Sequence, residues 1–155
     1  MEVIVIKIRL GFVTNSSSSS FVLGFDSKEE IDTLDIKKDT YAYDTLHSKE
    51  YILSIDDVLS AYAEYLLEGL EYVIEYYLFQ RFDKDELDKI KKNEPNKYQE
   101  LYDSAYKKCY IDNISYLRDK IIDKKYLFIL DIFDEDPEYQ TFLDLEQVIW
   151  SWNWS

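Results

Sequence analysis

Apolar residues alternate with polar ones at the start of the chain, and this spacing of two is typical of β-strands. In residues 2–10, Ile6 and Ile8 flank Lys7 in this way. Other short runs of β-branched, aromatic and aliphatic residues, bounded by polar segments, have the composition of further strands. The pattern predicts strands near residues 2–10, 20–25, 125–133 and 148–154.

A period of three to four residues replaces the alternation in the middle of the chain. It predicts a long helix near residues 55–82, with Ser54 and Asp57 forming a capping box at its start. A second helical region is predicted from Pro95 to Ile122, with a break near Asp112 and Asn113.

Three shorter elements are also predicted. Ser27 is expected to cap a short helix, and Asp136 is expected to cap another with Pro137 at its first position. Residues 35–53 are ambiguous, with a short strand expected around Tyr41 and Tyr43. The fold class predicted is α+β: a single domain, residues 1–155, with a small, mainly antiparallel sheet covered by helices.

Composition is consistent with a folded protein. The chain has 155 residues, of which 46% are hydrophobic and 17% aromatic. No apolar run approaches the roughly 18 to 20 residues that span a bilayer, and the first residues lack the pattern of a signal peptide. A cytoplasmic location is expected, which becomes the host cytoplasm if a phage encodes the protein.

Acidic residues dominate the charge, and they are unevenly distributed. The net charge is −14. Residues 41–82 carry 8 acidic and 2 basic side chains, and residues 126–155 carry 7 acidic and no basic ones. This excess argues against direct binding to nucleic-acid phosphates and favours a basic partner.

Five acidic residues in the long predicted helix recur at helical spacing and define an acidic ridge. At about 100° per residue they fall within an arc of roughly 60°. A solvated helix face is one interpretation; the other is a surface for a basic, nucleic-acid-binding protein, to which the carboxylates imitate a row of phosphates. The residues are Asp57, Glu64, Glu68, Glu71 and Glu75.

A second acidic cluster, Asp134, Glu135 and Asp136, follows the strand predicted at 125–133. Such carboxylates can hold Mg²⁺ or Ca²⁺ or act as an acid–base pair. An EF-hand loop is excluded because Tyr139 occupies the sixth position, where glycine is required. Helix capping and exposure to solvent are favoured over a metal site, and the cluster is assigned to the partner-binding acidic surface. No cofactor is predicted.

Trp150, Trp152 and Trp154 alternate with polar residues at the C-terminus. In an extended chain the three indoles share one face. They are interpreted either as an edge strand that closes the core or as an aromatic anchor for a protein partner.

A tract of five serines, Ser16, Ser17, Ser18, Ser19 and Ser20, precedes the second strand. With Asn15, Lys7 and Arg9 it is a candidate anion-binding site. A phosphate-binding loop usually needs glycines and a following helix, and this tract has neither. The other interpretation is a polar loop or strand edge.

The segment "KIRLGFVTNSSSSSF", residues 7–21, resembles the N-terminal signature of a scattered group of small uncharacterised bacterial and bacteriophage proteins. The resemblance covers about 15 of the 155 residues. It implies a bacterial or phage source and carries no catalytic role.

Catalytic motifs are missing from the sequence. His47 is the single histidine and Cys109 the single cysteine, and neither lies in a recognised nucleophile or metal motif. Three functions are therefore considered. The favoured one is a non-enzymatic inhibitor, encoded by a phage, that engages a basic host or defence protein. The others are a small nucleotide- or phosphate-binding protein or enzyme that uses the serine tract, and a self-assembling structural module.

Overall fold

The fold combines short helices with an antiparallel sheet. A computed structural model describes the backbone of residues 18–154 and the side chains of residues 18–153. The elements in chain order are β1 Ser18–Phe25, α1 Lys28–Asp32, α2 Tyr41–Leu46, α3 Ile55–Glu68, α4 Leu70–Phe79, α5 Lys84–Asn93, α6 Pro95–Tyr106, α7 Asp112–Ile121, β2 Tyr126–Phe133, α8 Tyr139–Leu143 and β3 Val148–Trp154.

The α+β class is confirmed. Within residues 18–154 the sheet has three strands in the order β2-β1-β3, and both pairings are antiparallel. The strands predicted near 20–25, 125–133 and 148–154 are present, and β1 lies at the centre. The strand predicted at 2–10 lies outside the described residues.

Two compact units make up the chain. Of the described residues, 62–116 form a helical unit, and 18–61 with 117–154 form a sheet unit. Among the described residues there is no helix with the length and apolar character needed to cross a membrane.

The central strand β1 is buried on both faces, from Ser19 to Phe25. Successive side chains of a strand point to opposite sides, so Phe21, Leu23 and Phe25 share one face and Ser20 and Val22 share the other. On the first face the phenylalanines and Leu23 pack with buried residues of β2, which are Phe128, Leu130 and Ile132. Helices α1, α2 and α8 add further buried apolar side chains to this cluster, which are Ile31, Ala42, Leu46 and Phe142.

Gly24 allows the bulged edge of β3 to approach β1. The pairing of β1 with β3 shifts register between Val22 and Leu23. A Cβ atom on Gly24 would lie 2.3 Å from Cδ1 of Ile149 and 2.8 Å from Cγ of Lys124. Any larger residue would therefore push both side chains aside, which explains a glycine one position before the end of the central strand.

The strand expected around Tyr41 and Tyr43 is wrong, because this segment forms helix α2. The Thr40 hydroxyl accepts a hydrogen bond from the backbone N–H of Tyr43 at 3.2 Å and caps the helix. Burial of Ala42, Thr45 and Leu46 follows helical spacing rather than alternation. Tertiary burial decides between two local patterns that the sequence leaves ambiguous.

The helical segment predicted near 55–82 is present as two consecutive helices, α3 and α4. Ser54 and Asp57 form the predicted capping box, with reciprocal hydrogen bonds of 3.0 and 3.1 Å. Gly69, at φ −127° and ψ 21°, separates the helices. Glycine is a poor residue for a helix interior, and its position coincides with the break.

The second predicted helical region is also interrupted. Residues Lys107–Ile111 form a π-helical turn between α6 and α7. The buried side-chain amide of Asn113 donates to the carbonyl of Cys109 at 3.0 Å, so the polar residue at the predicted break satisfies a backbone group of this turn.

The last helix begins later than predicted. Asp136 does not cap it: α8 starts at Tyr139, and Asp136 instead accepts a hydrogen bond from the backbone N–H of Glu138 at 3.0 Å. An Asx-type turn that contains Pro137 thus occupies the three positions assigned to the helix start.

Candidate partner-binding surface

Helix α4 has one buried side and one exposed side. Its buried side packs into the core of the helical unit, together with Leu87 of α5 and Ala105 of α6. Its exposed side carries two carboxylates and three aromatic rings, and we call these five residues the α4 face. Four residues are buried: Leu70, Ile74, Tyr77 and Leu78. The α4 face consists of Glu71, Tyr72, Glu75, Tyr76 and Phe79.

Helical spacing arranges the α4 face as two neighbouring rows. Glu71, Glu75 and Phe79 follow one another by four residues, and so do Tyr72 and Tyr76. Residues three or four apart on a helix are neighbours, with Cβ atoms about 5 to 6 Å apart. The two rows therefore meet where Tyr72 adjoins Glu75 and where Tyr76 adjoins Phe79.

The aromatic rings of the α4 face are exposed to solvent. Tyr72 is 57% exposed, Tyr76 43% and Phe79 48%. Large exposed aromatic side chains beside one another are typical of protein interfaces rather than of an inert surface.

Helix α3 continues the acidic character with Glu64 and Glu68, which are exposed and one turn apart, beside the exposed Leu67. The break at Gly69 means that the five predicted ridge residues do not lie on one uninterrupted helix. Asp57 lies in the sheet unit, and its carboxylate is occupied as an N-terminal cap. The structure therefore brings together four of the five only as two pairs, one on each helix.

The four glutamates are not neutralised within the described part of the chain. Within residues 18–153, ion pairs join Lys124 to Asp26 and Lys107 to Asp112, and none of these involves the four glutamates. Residues 50–80 contain no lysine, arginine or histidine. Within the described residues, the negative charge of Glu64, Glu68, Glu71 and Glu75 therefore has no basic side chain paired with it.

Helix α6 packs beside α4, and the charges of the α4 face affect Tyr102 of α6. The pKa of Tyr102 is raised by its desolvation and then, in decreasing order, by the charges of Glu71, Tyr98, Glu75 and Asp103. Both carboxylates of the α4 face therefore act on the same neighbouring phenol, which indicates a local concentration of negative charge.

The three residues of the second acidic cluster lie in the turn that follows β2, in different environments. Asp134 and Glu135 are exposed, whereas Asp136 is occupied by its hydrogen bond to the backbone of Glu138. Among residues 18–153, no group of three or more His, Cys, Asp or Glu side chains has a geometry that could hold a metal ion.

Three of the five serines in the tract, Ser18, Ser19 and Ser20, belong to the central strand. Ser19 and Ser20 are buried. The Ser19 hydroxyl lies 3.1 Å from the Tyr139 hydroxyl and accepts from the Asn153 amide at 3.0 Å, while Ser20 donates to a carboxylate oxygen of Asp131. A buried hydroxyl beside a carboxylate is a poor anion site.

Of the remaining members of the candidate anion site, the structure describes one, Ser18. Ser18 begins β1 and is half-buried. Lys7, Arg9, Asn15, Ser16 and Ser17 lie outside the described residues. The anion site as a whole stays a prediction.

Tryptophans alternate along β3 as predicted. Trp152 is buried and Trp150 is half-buried, while the side chain of Trp154 lies outside the described residues. Both described tryptophans pair directly with β1, at Ser20 and Val22. Their burial favours the role in closing the core over the role of an exposed anchor.

Neither His47 nor Cys109 has the environment of a catalytic residue. His47 stacks on Tyr43 with ring centroids 4.0 Å apart, and its Nδ1 lies 2.9 Å from the Tyr43 carbonyl. Cys109 is buried in the helical unit. Burial raises the pKa of its thiol from 9.0 to about 11, although Arg81 opposes the shift. A buried, protonated thiol is a poor nucleophile.

Ionisation of the Cys109 thiol is expected to lower the stability of the protein at alkaline pH. Because its pKa is raised in the folded state, its contribution is complete below pH 9 and is lost as the pH rises from 9 to about 11. We expect this residue to lower the free energy of unfolding by about 2 to 3 kcal/mol over that range. Urea titrations of the wild type and of Cys109→Ala are compared at each pH. The difference between them separates the effect of this thiol from that of tyrosine ionisation, which both proteins share. An identical alkaline decline in both proteins would contradict it.

The aromatic part of the α4 face is the feature that the sequence interpretation missed. Tyr72, Tyr76 and Phe79 lie on the side of the helix opposite Ile74, and this spacing was readable in the sequence. Aromatic residues are usually assigned to cores, however, and only the packed structure shows which side of the helix is covered.

Comparison of the chain with protein-family models, with curated proteins and with solved structures finds no match. No relative or structural neighbour supplies a function. What the protein can bind is therefore inferred from its own side chains.

Proposed function

We propose that the protein is a non-enzymatic binding protein whose α4 face, together with Glu64 and Glu68, engages a basic surface on a nucleic-acid-binding protein. The observation that carries this proposal is the combination of exposed carboxylates and exposed aromatic rings on α4. The glutamates supply attraction to a cationic surface, and the rings supply apolar contact area that water leaves on binding.

Electrostatics support a basic partner in two ways. Exposed carboxylates about 6 Å apart along a helix present a row of negative charge to a surface adapted to phosphates. The cost of keeping them together in water is small, about 0.7 kcal/mol for each adjacent pair. A cationic partner replaces that repulsion with attraction, and steering by the field accelerates association.

The biological setting follows from the resemblance of residues 7–21 to small bacterial and bacteriophage proteins. In this proposal a phage encodes the protein, and it acts in the cytoplasm of the host as an inhibitor. By occupying the nucleic-acid-binding surface of a host or defence protein, it competes with that protein's nucleic acid. Inhibition of this kind needs neither a cofactor nor turnover.

The proposal is tested by affinity capture from a bacterial lysate, read by mass spectrometry. We expect the wild type to retain basic, nucleic-acid-binding proteins at about 50 mM salt and to release them at about 500 mM. Added DNA should compete for the same proteins. Neutralisation of the acidic side chains, by Glu64→Gln, Glu68→Gln, Glu71→Gln and Glu75→Gln together, should abolish their retention.

The matched control is Asp119→Asn with Asp123→Asn. These two acids are exposed and four residues apart, as Glu71 and Glu75 are, but they lie in the sheet unit. Capture should survive this change. If capture is insensitive to the four glutamines, or is equally reduced in the control, the α4 face is not the binding surface.

A further inference from the structure

Within the α4 face, one position combines an open aromatic ring with a neighbouring carboxylate. Tyr72 and Glu75 are three residues apart, so their side chains are neighbours on the exposed side of the helix. Tyr72 is also the most exposed of the three rings. More than half of the surface of Tyr72 is therefore accessible to a partner.

A guanidinium group fits this pair better than an ammonium group does. Its planar, weakly hydrated cation can stack on an aromatic ring while its N–H groups donate to a carboxylate in a fixed fork. An ammonium is a compact and strongly hydrated charge, and it loses more hydration when it is placed on a ring.

Within the helical unit, one arginine and one lysine each lie over a tyrosine ring. The guanidinium carbon of Arg81 lies 3.6 Å from the centroid of the Tyr77 ring, whereas the ammonium of Lys91 lies 5.4 Å from that of Tyr98. Arg81 also donates to the Tyr77 carbonyl at 3.4 Å. Stacking combined with a hydrogen bond is thus a geometry that this chain already uses for arginine.

We propose that the α4 face binds an arginine-bearing segment of its partner, with a guanidinium stacked on Tyr72 and hydrogen-bonded to Glu75. Glu71 adds long-range attraction, and Tyr76 with Phe79 packs against the aliphatic part of the same segment. This specificity rests on the proposed function, because it presupposes that a basic protein binds here.

The test compares two synthetic alanine-based helical peptides that differ only in carrying arginines or lysines at the same two positions, four residues apart. Fluorescence anisotropy with the full-length protein measures both dissociation constants. The arginine peptide should bind at least about fivefold more tightly. Tyr72→Leu, which keeps apolar area but removes the ring, should reduce this ratio to below about twofold, and Tyr72→Phe should preserve it.

Two controls separate the possible failures. Tyr41→Leu alters an exposed tyrosine of the sheet unit and should leave the ratio unchanged. If Glu71→Gln with Glu75→Gln weakens neither peptide, the proposed function itself fails. If that variant weakens the binding of both peptides, the proposed function stands. The arginine site is then overturned if the wild type does not prefer the arginine peptide, or if its preference persists in Tyr72→Leu.

Discussion

Phe142→Ala is expected to lower the free energy of unfolding by about 3 to 5 kcal/mol, measured by urea denaturation. Phe142 is 0% exposed, and its ring lies 5.9 Å from that of Phe21 in the core of the sheet unit. It is the buried residue of α8, a helix of five residues without a side-chain cap. Truncation removes the buried contact that holds this short helix on the sheet and leaves a cavity behind.

The neighbouring residue provides the control for this prediction. Leu143 lies in the same helix but is 48% exposed, so Leu143→Ala should cost less than about 1 kcal/mol. Phe142→Leu, which keeps most of the volume, should fall between the two and remains measurable if the alanine variant does not fold. Equal costs at positions 142 and 143 would show that α8 does not depend on this contact.

Reversing the charge of the α4 face should have the largest effect on binding. With Glu71→Lys and Glu75→Lys together, like charges would face the basic partner, at a cost of several kcal/mol. We expect the affinity for the purified captured protein to fall by at least about 100-fold. Titration calorimetry at low salt measures it directly, with the melting temperature recorded to verify folding.

Asp119→Lys with Asp123→Lys makes the same change in net charge at the same spacing, on α7 and the turn that follows it. Lysines near a helix C-terminus are favourable, so this control should fold at least as well as the wild type. If it weakens binding as much as the α4 variant does, the partner responds to net charge and not to a particular surface.

Much of the fold could be predicted because its signals are local. The short apolar runs at residues 20–25 and 125–133 predicted two of the strands that the structure contains, β1 and β2. The Ser54–Asp57 capping box identified the start of α3 for the same reason, since both partners lie within four residues.

Errors arose where local signals were weak or incomplete. Tyr41 and Tyr43 favour strands by composition, but the cap at Thr40 and the burial of Leu46 produce a helix. Asp136 has the residue type of an N-cap but is used in a turn instead. Helix α5 was not predicted at all, because it buries only Leu87 and Ile90 and is otherwise charged.

The sequence predicted the negative charge of the candidate site but not the exposed aromatic rings beside it. Glutamates at helical spacing are visible in any sequence, so Glu71 and Glu75 were identified from spacing alone. Whether Tyr72 contacts a core or solvent depends on which elements pack against α4. Among the described residues these include α5, α6 and the π-helical turn Lys107–Ile111, which all follow later in the chain. Exposure of an aromatic ring is therefore not a local property.

By itself, the sequence determined the strands near 20–25, 125–133 and 148–154, the helical character of residues 55–82 and the uneven distribution of acidic residues, because these depend on neighbouring positions along the chain. Only the tertiary structure decided which side of α4 is covered and which is exposed. Packing buried Ile74 and Tyr77 and left Tyr72 exposed. The physical reason is that burial depends on contacts between residues distant in the sequence, which no local pattern specifies.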